Sequence, residues 1–521
     1  MYRALDQPDF PNFYLPFGGK LDPQNRWVKL AHLIPWKVIE AEYCQNFADS
    51  GMGAPALDSR IALGALIIKE RLSLTDEETV AQIRENPCIQ YFLGLHEYLQ
   101  ENLFDPSMMV HFRKRISPES ITQINNAIIQ RSQPQQKNHD DDSTPPSQNS
   151  DELTDLTTPA AEPAHPQSPA PNNGKLLIDA TCTPADITYP TDLKLLNEAR
   201  EKSERIIDVL YSSLSHQAKK PRTYREKARK AYLDVVLNKS PRAGKIRAAI
   251  GKQLRYLKRN LGHIHKLLEN GAQLRRLNRY WHKCLMVIHT LYDQQHHMYL
   301  TKTHRVSDRI VSISQPHIRP IVRGKVVQSV EFGAKISASY VNGYVTLERI
   351  SFDAYNETHD LPLQAENYKQ QHGSYPQSIH ADKIYQTRAN RAWCKERNIR
   401  LSGRPLGRPR QLSGEEKKQQ RKDETDRIPI EGKFGNLKRK GTLQRIMAKL
   451  SNTAVTVIGV GILAMNLDQL LRQLYALIAW LRCEPPTTIT QQKHNQRTGS
   501  QKTEHHPANL IGFCRSVKWA V

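Results

Sequence analysis

SVEFGAKISASYVNGYVTLERISF, residues 329–352, is the stretch whose reading decides the fold. Two runs rich in β-branched and aromatic residues flank Asn342-Gly343. Asn-Gly between such runs is the strongest short-range signal for a type I′ hairpin, because both turn positions need positive φ. Upstream, KLLIDAT (175–181) carries the short apolar run Leu176 to Ile178 of a buried strand that ends at Asp179. Downstream, a helix is expected around LPLQAENYKQQ (361–371), a strand in SIHADKIY (378–385), a helix around RANRAWCKERN (388–398) and a short strand in IRLSG (399–403). A last helix follows, with Pro429 at its first position, Glu431 about two residues in, and Arg427 just before it.

Strand, hairpin, helix, strand, helix, strand, helix describes an α/β protein with a mixed sheet flanked by helices, the order of the ribonuclease H-like fold. Residues 193–300 interrupt that order between the first and second strands and read as a helical insertion. From 216 to 283 the insertion holds 20 lysines and arginines against three acids, a net +17. Clustered cations of this kind neutralise phosphates without reading sequence, and Tyr256, Tyr280 and Trp281 offer stacking surfaces. Residues 1–130 read as an all-α domain, with Asp58 capping one helix and Thr75 and Glu78 forming a capping box for another. Its helix SMMVHFRKRIS brings Arg113, Lys114 and Arg115 together, as suits docking on double-stranded DNA. A proline-rich, polar linker is expected at 131–174, the catalytic core at 175–483 and a polar tail at 484–521.

The 521 residues carry a formal net charge of +23, which argues for a polyanionic partner and says nothing of fold. Seven scattered cysteines, none in a Cys-x-x-Cys pair, are expected as reduced thiols in a cytoplasmic protein with no structural zinc. The first residues lack a basic region followed by an apolar one, so secretion is not expected. The apolar stretch Thr453 to Met465 is shorter than the roughly 18 to 20 residues of a spanning helix, so a buried helix is expected there and no membrane attachment.

The chemistry is carried by three acids on different elements: Asp179, Asp382 and Glu431. Carboxylates converging from strand ends and one helix can hold two divalent cations about 3.5 to 4 Å apart, which stabilise the attacking and leaving oxygens of a phosphodiester displacement. Lys438 lies seven residues beyond Glu431 and so on the same helix face, where its ammonium and the Arg427 guanidinium converge with the carboxylate on one phosphate. Asp186, Asp192, Asp308 and Asp353 are expected as turn, cap or surface groups. His380 should share a strand face with Asp382 as a core or surface histidine, and Lys325 and Lys335 flank the second strand near the DNA path.

Arg427, three residues, Glu431, six residues, Lys438 resembles the signature around the catalytic glutamate of bacterial insertion-sequence transposases of the DDE type. LLIDATCTPADITYPTDLKLLNEAR, SIHADKIYQTRANRAWC and RIPIEGKFGNLKRKGTLQRIMAKL are similar to the insertion-sequence family-five branch, as is the N-terminal block ending in DPSMMVHFRKRIS. The tyrosine that opens the family signature is Glu424 here, which leaves its DNA contact to another residue or unfilled. The resemblance implies binding to the element's terminal inverted repeats and a homodimer on paired ends. It also implies hydrolysis of a phosphodiester at each end with two Mg²⁺ ions (Mn²⁺ substituting), then attack of the freed 3′-OH on target DNA. Asp179, Asp382 and Glu431 would hold the metals, and Arg427 and Lys438 would grip the element's end. A catalytically inactive or host-adopted DNA-binding relative is the alternative, which the Glu424 departure favours and the three intact acids oppose. A structure-specific nuclease of the same fold is a third.

Overall fold

The computed structural model describes residues 14–15, 19–47, 55–132, 171–214, 219–322, 330–404, 407 and 413–482. Most of the expected linker, the tail beyond 484 and Lys325 lie outside these residues. The chain divides into two units, Met1–Gln473 and Leu474–Val521.

Among the described residues seven helices come first: α1 (Arg26–Leu33), α2 (Trp36–Cys44), α3 (Ser59–Leu72), α4 (Asp76–Glu85), α5 (Pro87–Phe92), α6 (Met108–Arg115) and α7 (Pro118–Ser132). The expected caps are in place. Asp58 accepts the Arg60 amide at 2.6 Å, and Thr75 and Glu78 close a reciprocal box that satisfies two otherwise orphaned donors. α4 stops at Glu85 because Pro87 cannot continue it. Asn86 then caps α5 through the Cys88 and Ile89 amides. These helices enclose a core that includes Leu30, Leu63, Ile67, Phe92 and Phe112.

β1 (Lys175–Pro184) follows, then the insertion as α8 (Asp192–Tyr211), α9 (Arg225–Val236), α10 (Ala243–Glu269) and α11 (Arg279–Thr301). The insertion has its own core, with Leu196, Ile207, Leu257, Ile264 and Leu291 inside it. Arg200 is buried there against Glu204 at 2.6 Å. The sheet continues with β2 (Arg319–Val322), β3 (Val330–Val341) and β4 (Tyr344–Ser351), then α12 (Asp360–His372), β5 (Ser378–Ala381), α13 (Arg388–Glu396), β6 (Arg400–Leu401), α14 (Gly414–Lys440) and α15 (Ser451–Arg482).

The strands form one mixed sheet. β4 and β2 lie along different stretches of the same edge of β3, and β1, β5 and β6 follow on its other side. β3 is antiparallel to β1, whereas β1, β5 and β6 run parallel. Asn342 and Gly343 have φ of 50° and 98°, as a type I′ turn requires, and pair β3 with β4 from Val341↔Tyr344 onward. β2 is a strand the sequence does not announce: Arg319-Pro320-Ile321-Val322 is short, carries a proline and pairs with β3 alone.

Side chains alternate across β1. Leu176 and Ile178 pack on Leu361, Ala365 and Cys394 of α12 and α13, whereas Leu177 joins Ile430, Phe434 and Leu437 of α14 with Ile458 and Ile462 of α15 on the opposite face. α15 also supplies Val460, Leu463, Leu467 and Leu471 to the core of the N-terminal helices. One stretch of it, Ser451–Trp480, is long and apolar enough to cross a membrane, far longer than the Thr453 to Met465 run suggests, but 78% of its most apolar window is buried.

Asn466, fully buried on α15, joins three elements. Its Oδ1 accepts the Val345 amide at 3.0 Å, and its Nδ2 donates to the Val345 carbonyl and to Asn125 Oδ1, both at 2.7 Å. Asn466→Leu leaves a buried amide and Asn125 short of partners, and we expect it to lower unfolding stability by about 2 kcal/mol. Urea denaturation checks this; a midpoint equal to wild type would show that the three groups repair one another.

Candidate active site

Register brings the first two acids together. Ile178 pairs with Ala381 on the adjacent parallel strand, so Asp179 and Asp382 stand next in line, their backbones about 5 Å apart. Asp179 is not at a strand end as its sequence suggests, since β1 continues to Pro184 against β3. What ends there is β5, which frees the Asp179 side from its parallel neighbour. The β3–β4 register slips between Ser337 and Ala338, and Ala338 pairs with Asp179. Such irregularities re-aim side chains beside functional sites.

Asp179 shares the parity of Leu177 and so faces α14. Burial pushes its carboxyl up to about 6; the Ala180 amide, at 2.8 Å, and Arg427 hold it down, while Glu431 and Asp382 push it higher. Asp382 caps the 3-10 turn Lys383–Tyr385 through the Lys383 amide at 2.8 Å, and its side chain is 54% exposed.

The third acid arrives differently from expectation. Pro429 does not open the helix: Ser413 and Glu416 form a capping box, and α14 runs from Gly414 through Pro429 to Lys440. Proline there removes the hydrogen bond to the Thr425 carbonyl, which is tolerable because Thr425 and Pro429 both face solvent. Arg427 is therefore inside the helix, one turn before Glu431. Its guanidinium bridges Glu431 at 2.5 Å and Asp382 at 3.1 Å. Lys438 shares that helix face as expected and donates to Thr181 Oγ1 at 2.8 Å, two residues beyond Asp179 on the same face of β1. Asp179, Asp382, Glu431 and Arg427 thus converge, and Lys438 lies farther along the same side at Thr181.

Two groups that hold α14 in place were not anticipated. Asp423, buried on α14, receives both arms of the Arg400 fork from β6 at 2.8 and 2.9 Å and faces His380 Nδ1 at 3.7 Å. Burial works against its charge, yet Arg400 and Gln419 keep its carboxyl below the usual range. Asp426 binds Lys175 of β1 at 2.7 Å. His380, Asp423 and Asp426 place possible metal ligands within 4.8 Å of one another. The two carboxylates, however, are matched by two cations, so the cluster reads as a lock tying α14 to β1, β5 and β6. The Ser-x-x-Glu start at 413 was the available signal, since it would have put Asp423 and Asp426 on the same helix as Glu431.

The N-terminal cations fare unequally. Arg113 is turned inward, with both arms on Asp76 at 3.0 and 2.6 Å, and Arg115 lies over the Phe47 ring at 5.1 Å. Of the three, only Lys114 presents an exposed side chain. Lys335 pairs with Glu357 at 3.0 Å. Of the other acids, Asp308 and Asp353 are surface groups as expected, 80% and 73% exposed, whereas Asp192 and Asp186 are partly buried in ion pairs with Arg309 and Arg445. The five described cysteines are free thiols.

Residues 379–468, which contain Asp382, Arg427, Glu431 and Lys438, match the family model "Transposase DDE domain", and residues 16–115 match "Transposase domain (DUF772)". Both matches support an insertion-sequence DDE transposase. The chain is also 26% identical, over 179 residues, to the uncharacterized protein ORF8 in the nfe locus of Rhizobium meliloti, an alignment covering 34% of this chain and 71% of that protein. No solved structure matches the chain. Asp179 lies outside the matched DDE segment, so its place beside Asp382 rests on strand register. A DDE domain implies divalent metal use and action on DNA. The donor set fits such a cation: three carboxylates, one desolvated and two about half exposed, already gathered around a guanidinium.

Proposed function

We propose that this chain moves its own insertion sequence by metal-dependent hydrolysis of a phosphodiester at each element end, followed by strand transfer into target DNA. The observation that carries the reading is the convergence of Asp179 and Asp382, side by side by register, with Glu431 joined to Asp382 through Arg427. Leaving β2 aside, the order β4, β3, β1, β5, β6 supports a ribonuclease H-like core. Asp179, Asp382 and Glu431 would hold two Mg²⁺ ions, which would supply Lewis-acid polarisation of the scissile phosphate and neutralise its developing charge. Arg427 matches a phosphate with its planar fork, and Lys438, steadied by Thr181, adds a point charge beyond Asp179. The locked α14 keeps both cations and Glu431 in one phase relative to the strands. Lys114 contributes a phosphate contact from the N-terminal helices. The partners are double-stranded DNA at the terminal inverted repeats and at the target, and a second copy of the chain across paired ends, in the bacterial cytoplasm.

One observation favours the non-catalytic reading. Glu424, in place of the family tyrosine, is exposed and bonded only to Gln420 of its own helix at 3.2 Å among the described residues. Incubating the protein with an end-labelled duplex carrying the element's flanking end separates the two. Mg²⁺- or Mn²⁺-dependent nicking at the end is expected; tight binding with no cleavage in either metal would leave a DNA-binding relative.

A further inference from the structure

The exposed half of α10 supports an inference that does not depend on the three acids being catalytic. α10 is amphipathic along its whole length of 27 residues, about 40 Å. Leu254, Leu257, Leu261, Ile264 and Leu267 pack into the insertion's core. The opposite face carries Lys252, Arg255, Lys258 and Lys266, all exposed, and none has an ion-pair partner among the described residues. Glu269, at the final position, is the helix's sole acid, and His265 sits against it at 3.1 Å. Gly262 lies between Lys258 and Lys266 on this face, and Gly244 lies before Lys252, on the same side five turns from Gly262; a Cβ at either would meet nothing within 4 Å.

A solvated helix face ordinarily mixes both signs of charge, because like charges three and four residues apart repel one another. Lys252, Arg255 and Lys258 are spaced in just that unfavourable way, with no acid to relieve them. The cost is recovered only when something negative lies along the face. We propose that this face of α10 is a sequence-independent rail for the phosphate backbone of double-stranded DNA, separate from the carboxylate site. Glycines on this face let a sugar-phosphate strand approach the helix barrel, and the four cations span about 21 Å at 1.5 Å per residue, enough to follow several successive phosphates of one strand. An anionic membrane is the poorer match. A helix that lies on a bilayer inserts its apolar face, and the apolar face of α10 is already inside the bundle.

The test uses the full chain and a labelled duplex of scrambled sequence, with binding followed by anisotropy across a salt series. Lys252→Gln, Arg255→Gln and Lys258→Gln are combined in one variant. A control of equal net charge combines Lys37→Gln, Lys395→Gln and Lys417→Gln, three exposed lysines on α2, α13 and α14. The α10 variant is expected to lose about tenfold or more in affinity and to show a log K against log salt slope shallower by about 3, near 0.9 per phosphate contact. The control should keep the wild-type slope. Equal changes in both variants would reduce the effect to the overall field of the protein and overturn the rail. So would an unchanged slope in the α10 variant, or wild-type binding to phosphatidylglycerol vesicles in preference to the duplex. Because the readout is binding alone, Asp382→Ala protein should give the wild-type slope, which keeps failure of the rail distinct from failure of the cleavage reading.

Discussion

Asp382→Ala should lower metal-dependent strand cleavage by about a thousandfold or more, about 4 kcal/mol in transition-state stabilisation, while duplex binding stays within about twofold. The asymmetry follows from where Asp382 stands. It lies beside Asp179 and accepts from Arg427 at 3.1 Å, so its removal takes away a carboxylate of the metal set and no cation. Arg427 keeps Glu431, and Lys438 keeps Thr181, so the phosphate-facing charges stay in position. The 54% exposure of the side chain also means that truncation leaves no buried void. Single-turnover nicking of a labelled end and anisotropy binding of the same duplex, run on both proteins, measure the two quantities. Binding that falls in step with cleavage would refute the separation between metal-holding and DNA-gripping residues.

Glu70→Gln should flatten the pH dependence of stability, and at pH 8.5 the variant should exceed wild type by about 4 kcal/mol. Glu70 lies in the middle of the N-terminal core, 5% exposed on α3. The nearby cations Lys69 and Arg113 are both bound to Asp76, at 3.0 and 2.6 Å. Burial pushes the Glu70 carboxyl up to about 8, against the weaker pull of those cations. In the folded protein it therefore keeps a proton that the unfolded chain releases at its ordinary value near 4.5. Its contribution is most favourable below that value and is lost as pH rises toward 8, at about 1.4 kcal/mol per pH unit. Glutamine keeps the shape and removes the titration. Denaturant unfolding at pH 5 and pH 8.5 for both proteins is the check, and parallel pH profiles would show that the Glu70 environment accepts the charged form.

Much of the architecture is legible locally because single residues dictate backbone geometry. Asn342-Gly343, the cap at Asp58 and the box at Thr75 each name their turn or helix start without reference to anything distant. The three acids were legible too, as strand- and helix-borne carboxylates in the right order. What remained hidden depends on partners far along the chain. Nothing in Arg113 shows that Asp76 will claim it, nor in Arg319 to Val322 that β3 will offer an edge. The start of α14 is hidden for a different reason: Pro429 is a strong local signal for a first helical turn, whereas the helix opens at the Ser413 and Glu416 box. A helix begun at the proline leaves out Asp423 and Asp426, since both lie before it.

The double duty of α15 bears on how the molecule is made. Ile458 and Ile462 close the core under the sheet, whereas Val460, Leu463, Leu467 and Leu471 close the core begun by the N-terminal helices. Those four side chains contribute about 2 kcal/mol each, together comparable to the whole stability of a typical domain. During synthesis the helices from Arg26 to Ser132 leave the ribosome before the sheet, yet the wall that completes their interior is translated more than 300 residues later. At the usual pace of about 5–20 residues per second, that interior waits tens of seconds, half built, for its last side. A part made early is thus among the last to be finished.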